Sequence, residues 1–481
     1  MNAFVQAAVQ LPDSVTENGA ATFASSLNSH VDLFFKVGAS RNAPSEAVKL
    51  FNQALKVDQA LAVRIALWAR DARGGAGERE VFRQILEVMP EDVQLRLIDK
   101  VVELGRWDDL EVLVQRGTAP VQVRAAKSWR DAVVGGHGLA AKWAPRKGEV
   151  AVKLRGLWGM SPKQYRKTLV NATNVVEQKM CAKQWNDIEF AHVPSVAAAR
   201  YNAAFMRNAT ESYRVYKEAL VKGETKINAS AIFPHDVIRA AYNPSSVYRY
   251  AGDAAPTIDA DVVDAQWNAL PDYCNGKASD ILVMSDVSGS MSCSISGAVT
   301  AMHVSIALGL YISERQTGLF KDLVLTFSSE PKFHKVHGKG IVDRCTNLAQ
   351  TEWGMSTDID KAFRLILSTA KDNNVSAADM PKILLILSDM EFDYAGKLTN
   401  MQSLRKMYQA AGYEMPRVVF WNLNSRSKTT PVRYNEQGVA LVSGFSPAIL
   451  KSILAAEEFT PEKIMLDAVM VDRYDVPGVT V

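Results

Sequence analysis

Through the first hundred residues, apolar positions recur every three or four residues. Ala47–Val57, Ala60–Arg70, Glu80–Met89 and Val93–Leu104 each follow this spacing, which predicts amphipathic helices. Gly74–Gly77, Pro90 and Gly105 break the pattern between them. Glu91 and Asp92 directly follow Pro90, so that helix opens with acid in its first turn, the sign its dipole favours. Helices of about 10–14 residues joined by short turns predict a HEAT-like helical-pair solenoid. No sequence period is visible, so the repeat is an expectation drawn from helix length alone.

The grammar then changes. Residues 251–275 hold five Asp, two Pro and no base, and read as an acidic connector between residues 1–250 and 276–481. Beyond it, strand-like runs at 280–285, 323–327, 383–388, 417–422 and 439–442 alternate with helical patterns at 298–313, 360–369, 398–411 and 447–455. Alternation of this kind predicts a doubly wound parallel sheet covered on both faces. The fold class expected for the whole chain is therefore α followed by α/β.

At 481 residues, the chain exceeds one ordinary domain of about 100–200 residues. Its 48% hydrophobic and 22% charged content excludes disordered, collagen-like and disulfide-scaffold classes. The longest uncharged apolar runs fall short of the ~20 residues a membrane span needs. Met1–Asp13 has no basic leader pattern, and Cys181, Cys274, Cys293 and Cys345 form no CxxC pair. A cytoplasmic, monomeric protein with reduced thiols is the expectation. The net charge of +3 hides an imbalance: residues 141–250 carry 18 Lys and Arg against 8 Asp and Glu. Such asymmetry suggests different partners for the two halves, or basic residues that simply solvate helix surfaces.

Three loops at the carboxyl edge of the predicted sheet concentrate oxygen ligands. Asp286, Ser288 and Ser290 follow the first strand, Asp389 follows the third, and Thr357 opens a helix between them. Two carboxylates and three hydroxyls form a hard-cation set suited to Mg²⁺ or Mn²⁺, with a coordination position left open for an incoming carboxylate. Asp358, Asp360, Glu391 and Asp393 add acid near the same edge, as a two-metal nuclease would need. No Lys or His is placed as a general base, and His334 and His337 lack a third ligand. No GxxxxGK[ST], GxSxG or HExxH string occurs, so a non-catalytic protein is expected.

The DxSxS…T…D constellation resembles the metal-ion-dependent adhesion site of von Willebrand factor A domains. Asp286, Ser288, Ser290, Thr357 and Asp389 match its five positions. In the first half, Arg70–Glu78 (RDARGGAGE), Glu103–Leu110 (ELGRWDDL) and Ala141–Pro145 (AKWAP) resemble the TROVE module. That module accompanies an A domain in the Ro ribonucleoprotein autoantigen and its relatives. Val176–Met180, Trp185–Asp187, Val193–Ser195 and Gly223–Ser230 extend the resemblance, which is strongest to a branch found in bacteria, phages and plants. The same strings also have structural readings: a glycine turn, a helix cap with a packing aromatic, and a helix start at Pro194.

What the resemblance implies is a ring of helical repeats closed by the A domain, binding small structured RNA on a basic outer surface. The expected surface runs from Lys142 to Lys183, with Lys142, Lys163, Arg166, Lys167, Lys179 and Lys183 as candidate contacts. Trp158–Leu169 resembles a family segment near bound RNA, with Pro162 standing where the family has His. Lys163, Arg166 and Lys167 share one helical face by their spacing, which suits phosphate contact. Trp158, Tyr165, Tyr201 and Tyr213 are available for base stacking, though aromatics at helical spacing are more often core. The alternative function is a protein-assembly scaffold whose metal site takes an acidic residue of a partner protein.

Overall fold

The computed structural model describes residues 12–229, 232–241, 259–274, 276, 280–286, 288–327, 330–349, 351, 359–392, 401–424 and 429–479. After a short hairpin, β1 (Ser14–Val15) and β2 (Ala21–Thr22), come α1 (Ser29–Val37), α2 (Pro44–Val57), α3 (Gln59–Arg70), α4 (Glu80–Val88) and α5 (Glu91–Leu104). The succession continues with α6 (Glu111–Arg116), α7 (Ala119–Val134), α8 (Gly138–Trp143), α9 (Gly148–Leu157) and α10 (Pro162–Ala172). The expected repeat is visible as packing. α2, α4, α6 and α9 stack in one row, while α3, α5, α7 and α10 stack in a second. α4 buries one stripe, Val81, Phe82, Ile85 and Leu86, whereas α3 is buried nearly all round.

Buried aspartates and a glycine turn tie these rows together. Asp109 is fully buried and accepts from Arg70 Nε (2.7 Å), Arg83 Nε (2.8 Å) and the Arg106 backbone N–H (2.9 Å). Asp71, equally buried, accepts from Arg473 Nη2 (2.9 Å) and the Tyr474 hydroxyl (3.0 Å). The glycine turn between α3 and α4 is a close approach: Gly77 has φ +73°, and a Cβ there would strike the Phe233 ring. Gly105 caps α5, and Arg106 is the N-cap of the one-turn helix Trp107–Leu110.

α11 (Val176–Cys181), α12 (Ser195–Asn208), α13 (Thr210–Val221), α14 (Pro234–Ala241) and α15 (Ala260–Asn268) complete the helical half. α15 falls inside the stretch read as a connector. Asp259 caps it, and Val262, Val263 and Trp267 are buried where it packs on its neighbours.

The second half carries β3 (Ile281–Asp286), β4 (Ser294–Ser296), β5 (Val299–Thr300), α16 (Ala301–Glu314), β6 (Leu323–Phe327) and β7 (Phe333–Lys335). Then follow α17 (Ile341–Ala349), α18 (Ile359–Asp372), β8 (Ile383–Ser388), α19 (Met401–Ala410), β9 (Arg417–Asn422), β10 (Val439–Ser443), α20 (Leu450–Ala455) and α21 (Pro461–Val469). The six-stranded sheet has the order β10-β9-β8-β3-β6-β7, parallel except for the edge strand β7. Every residue of β3 and β8 is buried, so both faces are covered. The chain steps from β3 to β6 on one side and to β8 on the other. This reversal places a crevice at the carboxyl ends of β3 and β8.

The helical half and the sheet half pack against each other. α1 lies against β10, and its last carbonyls are capped from the sheet: Ser443 Oγ donates to Phe34 O (2.7 Å) and Asn422 Nδ2 to Phe35 O (3.3 Å). At the other end, α14 packs on α16 and α15 on α17. The ends also meet each other. Arg41 pairs with buried Glu78 and lies 4.1 Å over the Phe445 ring, while His235 of α14 stacks on Phe233 and meets Phe445 edge-on at 5.5 Å. The contacts run in a closed circuit from the sheet through the helical rows and back.

Candidate metal centre and cationic helix face

β3 ends on Asp286 and β8 is followed by Asp389, so the parallel register of the two strands brings both carboxylates to one edge. Asp286 is fully buried and Asp389 is 1% exposed. Asp286 Oδ1 accepts from the Ser288 backbone N–H (2.9 Å), and Oδ2 accepts from Ser388 Oγ (2.7 Å). Burial, followed by the charge of Asp389, pushes the Asp286 carboxyl up to about 6. Ser288 and Ser290 hold their hydroxyls 3.0 Å apart at the start of the one-turn helix Gly289–Ser292. Four of the five sequence-derived positions therefore converge, and Thr357 lies outside the described residues.

Two adjacent buried carboxylates with hydroxyls beside them fit a small divalent cation, which would relieve the repulsion that raises Asp286. Among the described residues, no group of three His, Cys, Asp or Glu side chains is placed to hold a metal. A centre at this edge thus depends on the serines. His334 and His337 are used elsewhere, since Asn347 bridges them at 2.9 and 3.1 Å.

Ser388 carries no motif that could have announced it, and Glu391, expected only as further acid near this edge, holds a distant backbone N–H. Ser388 Oγ donates to Asp286 and accepts from the Met390 N–H (3.1 Å), and Met390 has φ +65°. Glu391 Oε2 accepts from the backbone N–H of Glu17 (2.8 Å), 374 residues away. Local sequence holds no signal for such a pairing.

On the helical half, the six candidate cations divide. α10 begins with a capping box, Ser161 accepting from the Gln164 N–H and Gln164 Oε1 accepting from the Ser161 N–H, with Pro162 at the first helical position. Tyr165 and Leu169 turn inward, which leaves Lys163, Arg166 and Lys167 exposed on the opposite face. No acid lies in that helix, and the three cations form no ion pair among the described residues. Lys183 is also exposed, in the left-handed conformation (φ +59°) that ends α11.

Lys142 and Lys179 are committed inside the protein. Lys142 Nζ sits 2.8 Å from Glu177 Oε1, both side chains half-buried, and Lys179 donates to the Asp187 carbonyl. Burial pushes the Glu177 carboxyl up, but the hydrogen bond and charge of Lys142, with bonds from its own backbone N–H and from Tyr201, together hold the group below its usual range. The aromatics are structural too. Trp158 donates to Ala126 O (2.8 Å), Tyr165 to Pro145 O (2.9 Å) and Tyr213 to Asn202 (2.8 Å), all three buried. Half-buried Tyr201 donates to Glu177 (3.3 Å).

Two family profiles match, both described as domains of unknown function: DUF7788 over residues 280–475, and DUF2828 over residues 16–91 and 149–277. The chain is 29% identical to the uncharacterized protein L728 of Acanthamoeba polyphaga mimivirus, over 94% of this chain and 86% of that protein. Among solved structures, the Ro (RSR) protein of Deinococcus radiodurans is similar with a TM-score of 0.46 at 15% identity, covering 87% of this chain and 93% of that one. No helix among the described residues is long and apolar enough to cross a membrane.

Proposed function

We propose that this protein binds structured RNA without chemically altering it, as a ribonucleoprotein scaffold or in RNA quality control. The observation that carries the reading is the exposed, acid-free face of α10 with Lys163, Arg166 and Lys167. Lys163, in the first turn, opposes the helix dipole, and the three like charges on one face repel each other, so the arrangement costs stability unless an anion offsets it. A phosphate backbone is an anion of suitable spacing and charge. Lys183 and the excess of base over residues 141–250 extend the same field. The resemblance of the flanking strings to the TROVE module of Ro proteins points the same way. With the aromatics buried, recognition rests on shape and charge rather than on base stacking.

The test is binding of a structured RNA across a salt series, wild type against Lys163→Glu, Arg166→Glu, Lys167→Glu combined. The triple variant should bind about tenfold or more weakly, with its log–log salt slope reduced by up to about three. Equal affinity and slope would remove this face from the reading.

A second reading rests on the carboxylate edge. Asp286, Asp389, Ser288 and Ser290, with Thr357 as a fifth member, would hold Mg²⁺ or Mn²⁺. Such an ion supplies an electrophilic position that an Asp or Glu of a partner protein can occupy. In that case the protein is an assembly scaffold, and partner binding disappears with a chelator while tolerating salt.

A further inference from the structure

The carboxylate edge is where the amino-terminal segment fastens to the sheet half. Thr16 Oγ1 donates to Phe392 O (2.7 Å), the Glu17 N–H to Glu391 Oε2 (2.8 Å), and Asn18 Nδ2 to Glu391 O (2.9 Å). The same segment continues across the sheet's neighbouring loop. Phe23 and Thr430 exchange backbone hydrogen bonds (3.0 and 2.8 Å), the Thr22 hydroxyl donates to Thr430 O (2.6 Å), and the Arg433 guanidinium lies 4.1 Å over the Phe23 ring. Residues 14–26 thus form a strap that ends in α1, the first helix of the solenoid.

The turn that the strap grips is built on the carboxylates themselves. The Glu391 N–H donates to Asp389 Oδ1 (3.3 Å), the Met390 N–H to Ser388 Oγ, and Ser388 Oγ to Asp286 Oδ2. Met390 holds a left-handed backbone conformation that ordinary side chains adopt at a cost of about 1 kcal/mol. Its shape is therefore imposed by its hydrogen bonds, and those bonds end on Asp286 and Asp389.

We propose that a divalent cation at the Asp286–Asp389 edge fixes the 388–392 turn and so locks the amino-terminal strap onto the sheet. The proposal rests on the reading of that edge as a metal centre given above. Ion binding and strap docking then promote each other by the same factor, because a coupling free energy is reciprocal. The ion acts as a clasp on the closed circuit of helices, at the point where the chain enters it.

The experiment uses the full chain and Mg²⁺ or Mn²⁺ alone. Ion affinity is measured by calorimetric titration for the wild type, for Asn18→Ala and for Thr16→Val, alongside hydrogen exchange of residues 14–26 with ion or chelator. The strap variants should bind the ion three- to tenfold more weakly, and the wild-type strap should exchange at least threefold more slowly with ion present. Asp286→Ala should abolish both responses. A wild type that binds no ion overturns the metal reading itself. A wild type that binds, with strap variants of equal affinity and a strap whose exchange ignores the ion, leaves the metal centre standing and overturns the clasp. The exchange measurement needs no substitution, so a misfolded variant cannot decide the outcome.

Discussion

Arginines in the first helical pairs and lysines on α10 carry the same charge to opposite ends. Around Asp109, Arg70 and Arg83 meet buried carboxylate oxygens within 2.6–2.8 Å, and Arg106 pairs with Asp108 beside them. Forty to sixty residues on, Lys163, Arg166 and Lys167 stand in water with no acid in their helix. Where a cation is matched inside the fold, its loss is felt as stability. Where it is left unmatched on a rigid helix, its loss should be felt only by a partner. The difference separates strings that hold the solenoid together from positions that can act outside it.

Asp109→Asn tests the first side of that division and should have the largest effect. It removes the carboxylate paired with the Arg70 guanidinium, which is 4% exposed, and leaves the Arg106 backbone a neutral acceptor, while Arg83 keeps its pair with Asp108 (2.9 Å). Breaking one partner of a buried pair costs about 3–5 kcal/mol. In a chain of this size that lowers the melting temperature by about 3–5 °C. A fall of only a degree or two would mean that the network is as dispensable as the α10 cations are expected to be.

The junction where the circuit closes responds to pH in a way the α10 face should not. Burial, together with Arg41, Arg239 and His303, pushes the His235 imidazole down to about 4 against the opposing pull of Asp236. The unfolded chain therefore binds a proton between pH 6.5 and 4 that the folded chain refuses. Stability from this group is complete above pH 6.5 and is lost as pH falls through that window, by about 2 kcal/mol at pH 5. Asp286, raised to about 6, titrates with the opposite sign. The informative quantity is thus the difference between wild type and His235→Phe, in which a neutral ring keeps the stack on Phe233. Parallel stability–pH curves for the two proteins would place His235 outside the junction's energetics.

The parts of this architecture legible in the sequence are those set by local periodicity. Strands such as 383–388 and 417–422 appear where expected because continuous apolar runs cannot be exposed, and α10 presents the face its spacing implied. Short or mixed elements escaped: β7 has three residues, and α17 and α21 each have nine. α15 hid behind its acids. Asp259 caps it and pairs with Lys217, and Asp264 accepts from the Ile341 N–H at the start of α17. The strap escaped for a different reason. Its partners lie more than 370 residues away, and closure over that distance leaves no periodic trace.

Lys142 sharpens the comparison most, because its sequence context placed it with the exposed cations and the structure places it with the matched ones. Its ammonium lies 2.8 Å from Glu177 and 5.7 Å from the Trp143 ring centroid, and Glu177 is also an acceptor for Tyr201. Lys142→Met keeps an unbranched side chain of similar length and removes the charge. A half-exposed pair of this kind contributes about 0.5–1 kcal/mol, so the melting temperature should fall by about one degree at most. RNA affinity should change less than twofold, against the tenfold or greater loss expected on α10. If Lys142→Met weakened RNA binding as strongly as the α10 changes while leaving stability untouched, pairing inside the fold would no longer predict which cations serve a partner. The assignment of the surface would then have to follow charge alone.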